Sequence, residues 1–360
     1  MALALRLARK GLATTSPNPA VGAVVVAGGG IVGTGWHRRP GAPHAEVVAL
    51  QEAGQAARGA TLYVTLEPCS HYGRTPPCVD AVLASGIARV VAAMTDPDPR
   101  VGGRGSAALT AAGVEVEVGV GRSGAEALSE AYLVHRREGR PFVTCKAAIS
   151  ADGGTAAVDR SSQWITGPAA RRDAHRLRAA SEAVCVGVGT VLADNPTLTP
   201  RGVRARRLPL RVVVESTART PPGANVINGQ APTLIAVTHA AAAADLKALI
   251  AAGAEVLELP AERGRVALPG LLRALAERGV MSLLVEGGAH LAGSFAAQGL
   301  VDRYLLYVAP LFLGGDGLRV FEGWPIATIG EAPRLTLRAV RRIGEDLRVE
   351  LRPRPQPTGG

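Results

Sequence analysis

Aromatic residues make up only 3% of this 360-residue chain. That scarcity argues against base-stacking platforms and leaves core packing to Ala, Val and Leu, within a 47% hydrophobic composition. Lysine is scarcer still: Lys10, Lys146 and Lys247 are the only lysines among 40 basic residues, the rest being Arg. Four cysteines are too few, in a chain of this length, for a secreted disulfide framework. No apolar run reaches the roughly 20 residues of a membrane helix, so no membrane partner is expected. The N-terminal "MALALRLARK" is apolar and basic, but it reads as a first helix rather than a transit peptide, with Leu3, Leu7 and Ala8 inward and Arg6 and Arg9 outward. A cytoplasmic protein is expected. The formal net charge of +10 raises the question of nucleic acid, yet the Arg residues are scattered and lack aromatic neighbours. An anionic small-molecule substrate explains that bias equally well, so no nucleic-acid partner is expected.

What is present is enough for two domains. The first part reads as a helix over 1–11, two short apolar strands joined by glycines, and a helix from Ala45 to Gln55. A strand "ATLYVTL", a helix from Val79 and a strand "RVVAAM" follow. The Arg-rich "HRREGRP", His135 to Pro141, reads as a linker. Beyond it, "FVTCKAAIS", "AVCVGVG", "LRVVVES", "TLIAVT" and "SLLVEGG" read as strands alternating with helices such as "PAARRDAHRLRAA". A second α/β domain with a mixed sheet is expected. The boundaries read as 1–138, 139–352 and a disordered tail over 353–360.

The chemistry concentrates in two places. "PHAEVVAL" sets His44 and Glu46 at a helix start, and "PCSHYGRTPPC" holds Cys69 and Cys78. One His and two Cys supply three zinc ligands and leave the fourth position open, as a catalytic site requires. Glu46, two residues from His44, can stand beside the metal and move a proton without binding it. His-x-Glu followed by Pro-Cys-x-x-Cys marks zinc deaminases of nucleobases; here eight residues separate the cysteines instead of two. His71, inside that loop, is an alternative ligand, or faces substrate or solvent. Asn18 can present its carboxamide to a pyrimidine or simply form an Asn-Pro turn. Arg74 suits a phosphate or a solvated loop.

Of two literal G-x-G-x-x-G matches, Gly28/Gly30/Gly33 suits a hairpin rather than a strand–helix turn, and Gly119/Gly121/Gly124 has a helix after it but no acidic residue in the ribose position, so neither reads as a dinucleotide fingerprint. "SLLVEGGAHLAGSF" is better placed, since a strand ends at Glu286 and a helix opens after Gly287 and Gly288, a start that can bind phosphate.

"SPNPAVGAVV", "HAE" and "TLEPCSHYGRTPPC" resemble the deaminase domain of the bifunctional riboflavin-biosynthesis family RibD. "KAAISADGGTA", "SSQWITG", "GVGTVLADNPTLTPR" and "LLVEGGAHLAGS" resemble its reductase domain, so the resemblance spans both halves. It implies an α/β chain with a cytidine-deaminase-like domain followed by a dihydrofolate-reductase-like domain. It implies zinc on His44, Cys69 and Cys78, with Glu46 as catalytic proton shuttle. The implied substrate is 2,5-diamino-6-(5-phosphoribosylamino)pyrimidin-4(3H)-one, deaminated by zinc-activated water; NADPH then reduces the ribosyl group to ribityl. The implied NADP contacts are Ala148, Trp164, Thr190, Asp194, Ser216 and the run Gly288, Ala289, His290, Leu291, Ala292, Gly293, Ser294. Implied substrate contacts are Ser162, Arg178, Leu198, Arg201 and Glu286, and a homo-oligomer is implied. The chain is shorter than some family members between Arg201 and Arg211.

By residue chemistry, Arg178 and Arg201 suit a phosphate, and Glu286 and Ser162 suit hydroxyls or ring nitrogens. Trp164 is a flat surface for a ring or a core residue. Asp194 suits a helix-to-turn cap equally well. Lys146 could orient or polarise the sugar, and Cys145 and Cys185 read as core. The competing readings are a nucleic-acid-editing zinc deaminase with an accessory binding domain, which the long Cys–Cys loop disfavours, and a zinc-stabilised structural protein, which Glu46 disfavours.

Overall fold

In the computed structural model, which describes residues 1–12, 14–73, 75–98 and 101–354, the chain forms two units, Met1–Arg140 and Pro141 onward. The first unit runs α1 (Ala2–Ala8), β1 (Gly22–Ala27), β2 (Gly30–Trp36), α2 (Ala45–Ala53), β3 (Thr61–Val64), α3 (Cys78–Ser85), β4 (Arg89–Ala92), α4 (Arg104–Ala111), β5 (Glu115–Val118), α5 (Arg122–Leu128) and α6 (Glu130–Glu138). Its five strands lie in the order β2-β1-β3-β4-β5. β1 is antiparallel to both its neighbours, and β3, β4 and β5 are parallel. Gly28 and Gly29 turn the β1–β2 hairpin with φ of 57° and 78°, the left-handed values a tight hairpin favours.

Gly33 and Gly35 of β2 act through packing. A Cβ on Gly33 would stand 2.1 Å from the carbonyl oxygen of Ala49, and one on Gly35 would stand 2.1 Å from that of Ala45. The helix α2 therefore lies directly on the β2 backbone, with its first turn over Gly35. In the second glycine run, Cβ atoms on Gly121 and Gly124 would collide with Met1 and Leu5 of the N-terminal segment. Both runs serve hairpin and helix packing.

The segment read as a linker is mostly helix. α6 continues through Glu138, buries Tyr132 and Leu133, and ends at Gly139 in the left-handed conformation. Its basic residues occupy the last turn, where cations favour the helix dipole.

The second unit runs β6 (Phe142–Ser150), β7 (Gly154–Ala156), α7 (Pro168–Ala180), β8 (Ala183–Gly187), α8 (Val188–Asp194), β9 (Leu210–Val214), β10 (Thr233–Val237), α9 (Ala243–Ala251), β11 (Glu255–Glu258), β12 (Ala261–Glu262), β13 (Arg265–Val266), α10 (Leu268–Glu277), β14 (Ser282–Glu286), α11 (Ala289–Ala297), β15 (Arg303–Ala309), β16 (Leu318–Arg319), β17 (Leu335–Ile343) and β18 (Asp346–Pro353). The main sheet has the order β11-β10-β9-β8-β14-β6-β15-β18-β17. It is parallel from β11 to β15 and antiparallel at β15–β18 and β18–β17, the mixed sheet expected. Alternate residues of the central strands enter two clusters. Val143, Cys145, Cys185 and Val212 pack with Leu271, Leu275 and Phe295 of α10 and α11, while Val184, Val186, Val213 and Ile235 pack with Val191 and Leu249 of α8 and α9. Burial on both faces explains why these strands read as continuous apolar runs.

The tail expected over 353–360 includes one residue of the last strand. Pro353 pairs with Leu335 in the last hairpin, and residues 355–360 lie outside the described residues. Among the described residues no helix is long and apolar enough to cross a membrane.

Candidate active sites

In the first unit, His44 caps the N-terminus of α2 and Cys78 opens α3. Cys69 lies in the irregular segment after β3. Its sulfur accepts the N–H of Cys78, at the start of α3, at 3.4 Å. Nδ1 of His44 stands 3.1 Å from Sγ of Cys78 and 3.6 Å from Sγ of Cys69. All three ligand atoms lie within 4.8 Å of one another. Tetrahedral zinc with ordinary Zn–N and Zn–S bonds spaces such atoms roughly 3.6 Å apart, so one His and two Cys fit the metal. Thr75 Oγ1 meets the other ring nitrogen of His44 at 3.3 Å, which orients the imidazole.

The protonation pattern follows the geometry. Hydrogen bonding from Cys78, which outweighs burial, draws the Cys69 thiol down to about 4. The same pairing, with burial, pushes Cys78 up. The interaction with Cys69 raises His44. Glu46, on the first turn of α2, is buried, and desolvation pushes its carboxyl up to about 7. Its Oε2 is buried without a hydrogen-bond partner. A carboxyl poised near neutrality, with an open oxygen beside three metal ligands, is equipped to carry a proton.

His44, Glu46, Cys69 and Thr75 line a cavity of about 280 Å³. Asn18 and His71 line it as well, and His71 is not part of the His–Cys–Cys cluster. Arg74 lies outside the described residues.

Three further lining residues carry no role in the sequence reading. His37 is buried, with Nδ1 3.2 Å from the Pro43 carbonyl and Nε2 3.2 Å from Nδ2 of Asn18. The amide donates to Nε2, so Nδ1 carries the proton and donates to Pro43; burial, the largest influence, lowers the ring's pKa and keeps it neutral. Glu67 accepts the N–H groups of Asp96, Gly103 and Ser106, tying the Glu-Pro-Cys segment to the start of α4. Tyr132 of α6 donates to Asp96 at 3.1 Å. The only local signal for His37 is its place seven residues before His44, and its partners are visible only in the fold.

In the second unit, chemistry gathers at the carboxyl ends of parallel strands, where ligands bind such sheets. Glu286 ends β14 opposite Lys146 of β6. Arg178 of α7 donates to Glu286 Oε2 through Nε at 2.9 Å and a terminal nitrogen at 2.6 Å. Arg178, expected to meet the substrate and suited to a phosphate, spends Nε and one terminal nitrogen on this carboxylate. Burial alone would raise Glu286, but Arg178 and Lys146 outweigh it and hold the carboxyl below its ordinary value. Its Oε1 is buried without a partner. Nearby, the Arg201 N–H donates to Nδ1 of His175 at 3.3 Å, and the Arg201 side chain is exposed. Leu198 is buried with a φ of 54°.

Gly287 and Gly288, with φ of 74° and 78°, turn β14 into α11. Cβ atoms there would come within 3.4 and 3.3 Å of Thr190 Oγ1, so the expected cofactor residues Thr190 and Gly288 adjoin. The start of that helix, Gly288, Ala289 and exposed His290, can offer backbone N–H groups. Leu291 and Ala292 are core residues and Ser294 donates to the His290 carbonyl, so these side chains serve packing and local bonding, while Gly293 lies against the Glu322 carbonyl with no room for a Cβ. Trp164 is 64% exposed, not core, and the Arg171 guanidinium stacks 4.6 Å from its ring. Gln163 donates to exposed Asp194, the last residue of α8, while Asn195 takes the left-handed cap. Ala148 and Ser162 are half-buried, and Ser216 follows β9, its carbonyl accepting from Thr238. Cys145 and Cys185 are buried in the core, as expected.

Comparison with known proteins covers both units. Residues 1–94 match the cytidine and deoxycytidylate deaminase zinc-binding region, and residues 141–349 match the RibD C-terminal domain. The riboflavin biosynthesis protein RibD of Bacillus amyloliquefaciens is 44% identical, over 100% of this chain and 97% of its own. RibD of Acinetobacter baumannii superposes with a TM-score of 0.88 at 37% identity, over 98% of each chain. A Thermotoga maritima structure described as a diaminohydroxyphosphoribosylaminopyrimidine deaminase/5-amino-6-(5-phosphoribosylamino)uracil reductase superposes with a TM-score of 0.85 at 35% identity, over 98% of this chain and 97% of its own.

Proposed function

The chain belongs to the RibD family of riboflavin-biosynthesis deaminase–reductases, and we propose that residues 1–138 deaminate 2,5-diamino-6-(5-phosphoribosylamino)pyrimidin-4(3H)-one and residues 139–352 reduce the ribosyl group of the product. One observation carries the reading: three ligand atoms converge beside a buried carboxyl and leave a tetrahedral position open. Bound zinc supplies a water of lowered pKa at that position. Glu46 takes a proton from the water and delivers it to the departing 2-amino group. The bond from the ring carbon to the exocyclic 2-amino nitrogen breaks, a C–O bond replaces it and ammonia leaves. Asn18, held by His37, presents its carboxamide to the pyrimidine.

In the second unit NADPH supplies the hydride that reduces C1 of the opened sugar. Glu286, locked by Arg178, offers its free oxygen to a hydroxyl or ring N–H. Arg201 meets the phosphate, Lys146 orients the sugar, and Ser162 and Leu198 complete the substrate contacts. Trp164, Thr190, Asp194, Ser216, Ala148 and the turn opening α11 hold the nucleotide. NADPH rather than NADH, a homo-oligomer and a cytoplasmic location, where zinc-ligating thiols stay reduced, complete the proposal.

The test is elemental analysis with a coupled assay on the phosphoribosylaminopyrimidine, following ammonia and NADPH absorbance separately. One zinc per chain and both signals are expected. A zinc-loaded protein that releases no ammonia would overturn the deaminase reading, and one that oxidises NADH faster than NADPH would overturn the cofactor choice.

A further inference from the structure

Lys146 stands on β6 with Glu286 and Leu305 as its cross-strand neighbours. Tyr307 lies two residues beyond Leu305 on β15, on the same face, a diagonal position that long and aromatic side chains bridge. Nζ of Lys146 is 5.7 Å from the centroid of the Tyr307 ring, inside the range of cation–π attraction. The ring is itself clamped. Tyr307 is buried, and its hydroxyl donates to Oδ2 of Asp173 on α7 at 2.7 Å. Arg348, its cross-strand partner on β18, holds the same oxygen at 3.2 Å. Three elements thus converge on one aromatic ring beside one ammonium.

The contact differs in kind from an ion pair. Glu286 already directs Oε2 to Arg178, so its pull on Lys146 is charge at a distance. A ring face attracts an ammonium without accepting a conventional hydrogen bond, so the N–H donors stay available to a ligand. Burial holds the ammonium below the ordinary lysine value, which makes each favourable contact with its charged form matter.

We infer that Tyr307 is a positioning residue for the reduction step: its ring, clamped by Asp173 and Arg348, holds the Lys146 ammonium where the sugar binds. The inference rests on the reading of Lys146 as the group that orients the sugar.

A double-mutant cycle on the full-length protein tests it, with NADPH oxidation measured on the already deaminated pyrimidine. Lys146→Met lowers kcat/KM, and Tyr307→Leu lowers it by about tenfold, the upper range of one cation–π contact. In the Lys146→Met background, Tyr307→Leu adds less than about twofold, because no ammonium remains to be held. The KM for NADPH stays unchanged throughout. Tyr307→Phe keeps the ring and loses only its anchor, so the loss stays within about threefold. Full additivity of the two variants, or Phe falling as far as Leu, would overturn the inference. Parental reduction by Lys146→Met would overturn the reading of Lys146 and the inference with it. Ammonia release and thermal melting monitor folding. If Tyr307→Leu does not fold, pentafluorophenylalanine at this position keeps the ring's shape and reverses the charge of its face; a rate equal to that of Tyr307→Phe would then sink the idea.

Discussion

Glu46 and Glu286 are both buried, and each has one carboxylate oxygen without a hydrogen-bond partner. Their pKa values move in opposite directions. Around Glu46 desolvation wins over the opposing pull of His44. Around Glu286 the Arg178 guanidinium and the Lys146 ammonium win. Burial therefore does not decide what a carboxyl does; the charges buried with it do. The first unit sets a carboxyl of raised pKa beside a metal site, and the second fixes a carboxylate between two cations, as the proposed proton carrier and ligand-holding anion require.

The contrast can be broken at its strongest point. Chelation, or Cys78→Ser, is expected to abolish ammonia release while reduction of a deaminated substrate continues; equal loss of both activities would show that the units do not act separately. Glu46→Gln comes next, with ammonia release lowered by about 10²–10⁴-fold and zinc content unchanged by elemental analysis. Arg178→Met leaves Glu286 buried without its partner and is expected to destabilise the second unit by about 3–5 kcal/mol in denaturant unfolding. Adding Glu286→Gln should recover part of that loss.

Gly35→Ala would sharpen the comparison from the packing side. Its Cβ would meet the Ala45 carbonyl at the first turn of α2. Helix α2 must shift, at a cost of about 1–3 kcal/mol, and zinc affinity falls although no ligand changes. The smallest effect is on pH. The folded-state pKa of Glu286 lies below its ordinary value of 4.5, so its contribution is present above that value. It is lost as pH falls through the depressed folded value, with a slope of at most about 1.4 kcal/mol per pH unit. Glu286→Gln should remove this acid-side component from the stability profile of the second unit; an unchanged profile would contradict the cation-dominated account.

The zinc ligands were legible because each sits in a short, chemically loud motif. His-Ala-Glu opens an apolar helix, and few side chains other than Cys, His and carboxylates bind zinc. The second unit's strands were legible for a different reason, since burial on both faces writes continuous apolar runs. What escaped was whatever depends on partners distant in sequence. Arg211 sits in the run "LRVVVES", where an arginine suggests a solvated position. It is fully buried and donates to Asn228 and to the carbonyls of Thr197, Asn225 and Ala231. Arg136 and Tyr132 read as part of, or next to, a linker, yet their helix lines the zinc cavity.

By itself the sequence determined the metal-ligand set, the carboxyl proposed to carry the proton, the two α/β halves and the family they resemble, because these rest on residue type, short spacing and hydrophobic period. Only the tertiary structure decided that Glu286 is locked by Arg178, that Asn18 leans on His37, and that Tyr307 underlies Lys146. Those pairs are separated by 108, 19 and 161 positions in the chain. No local pattern encodes such contacts; they arise when strand register and helix packing bring remote side chains onto one face.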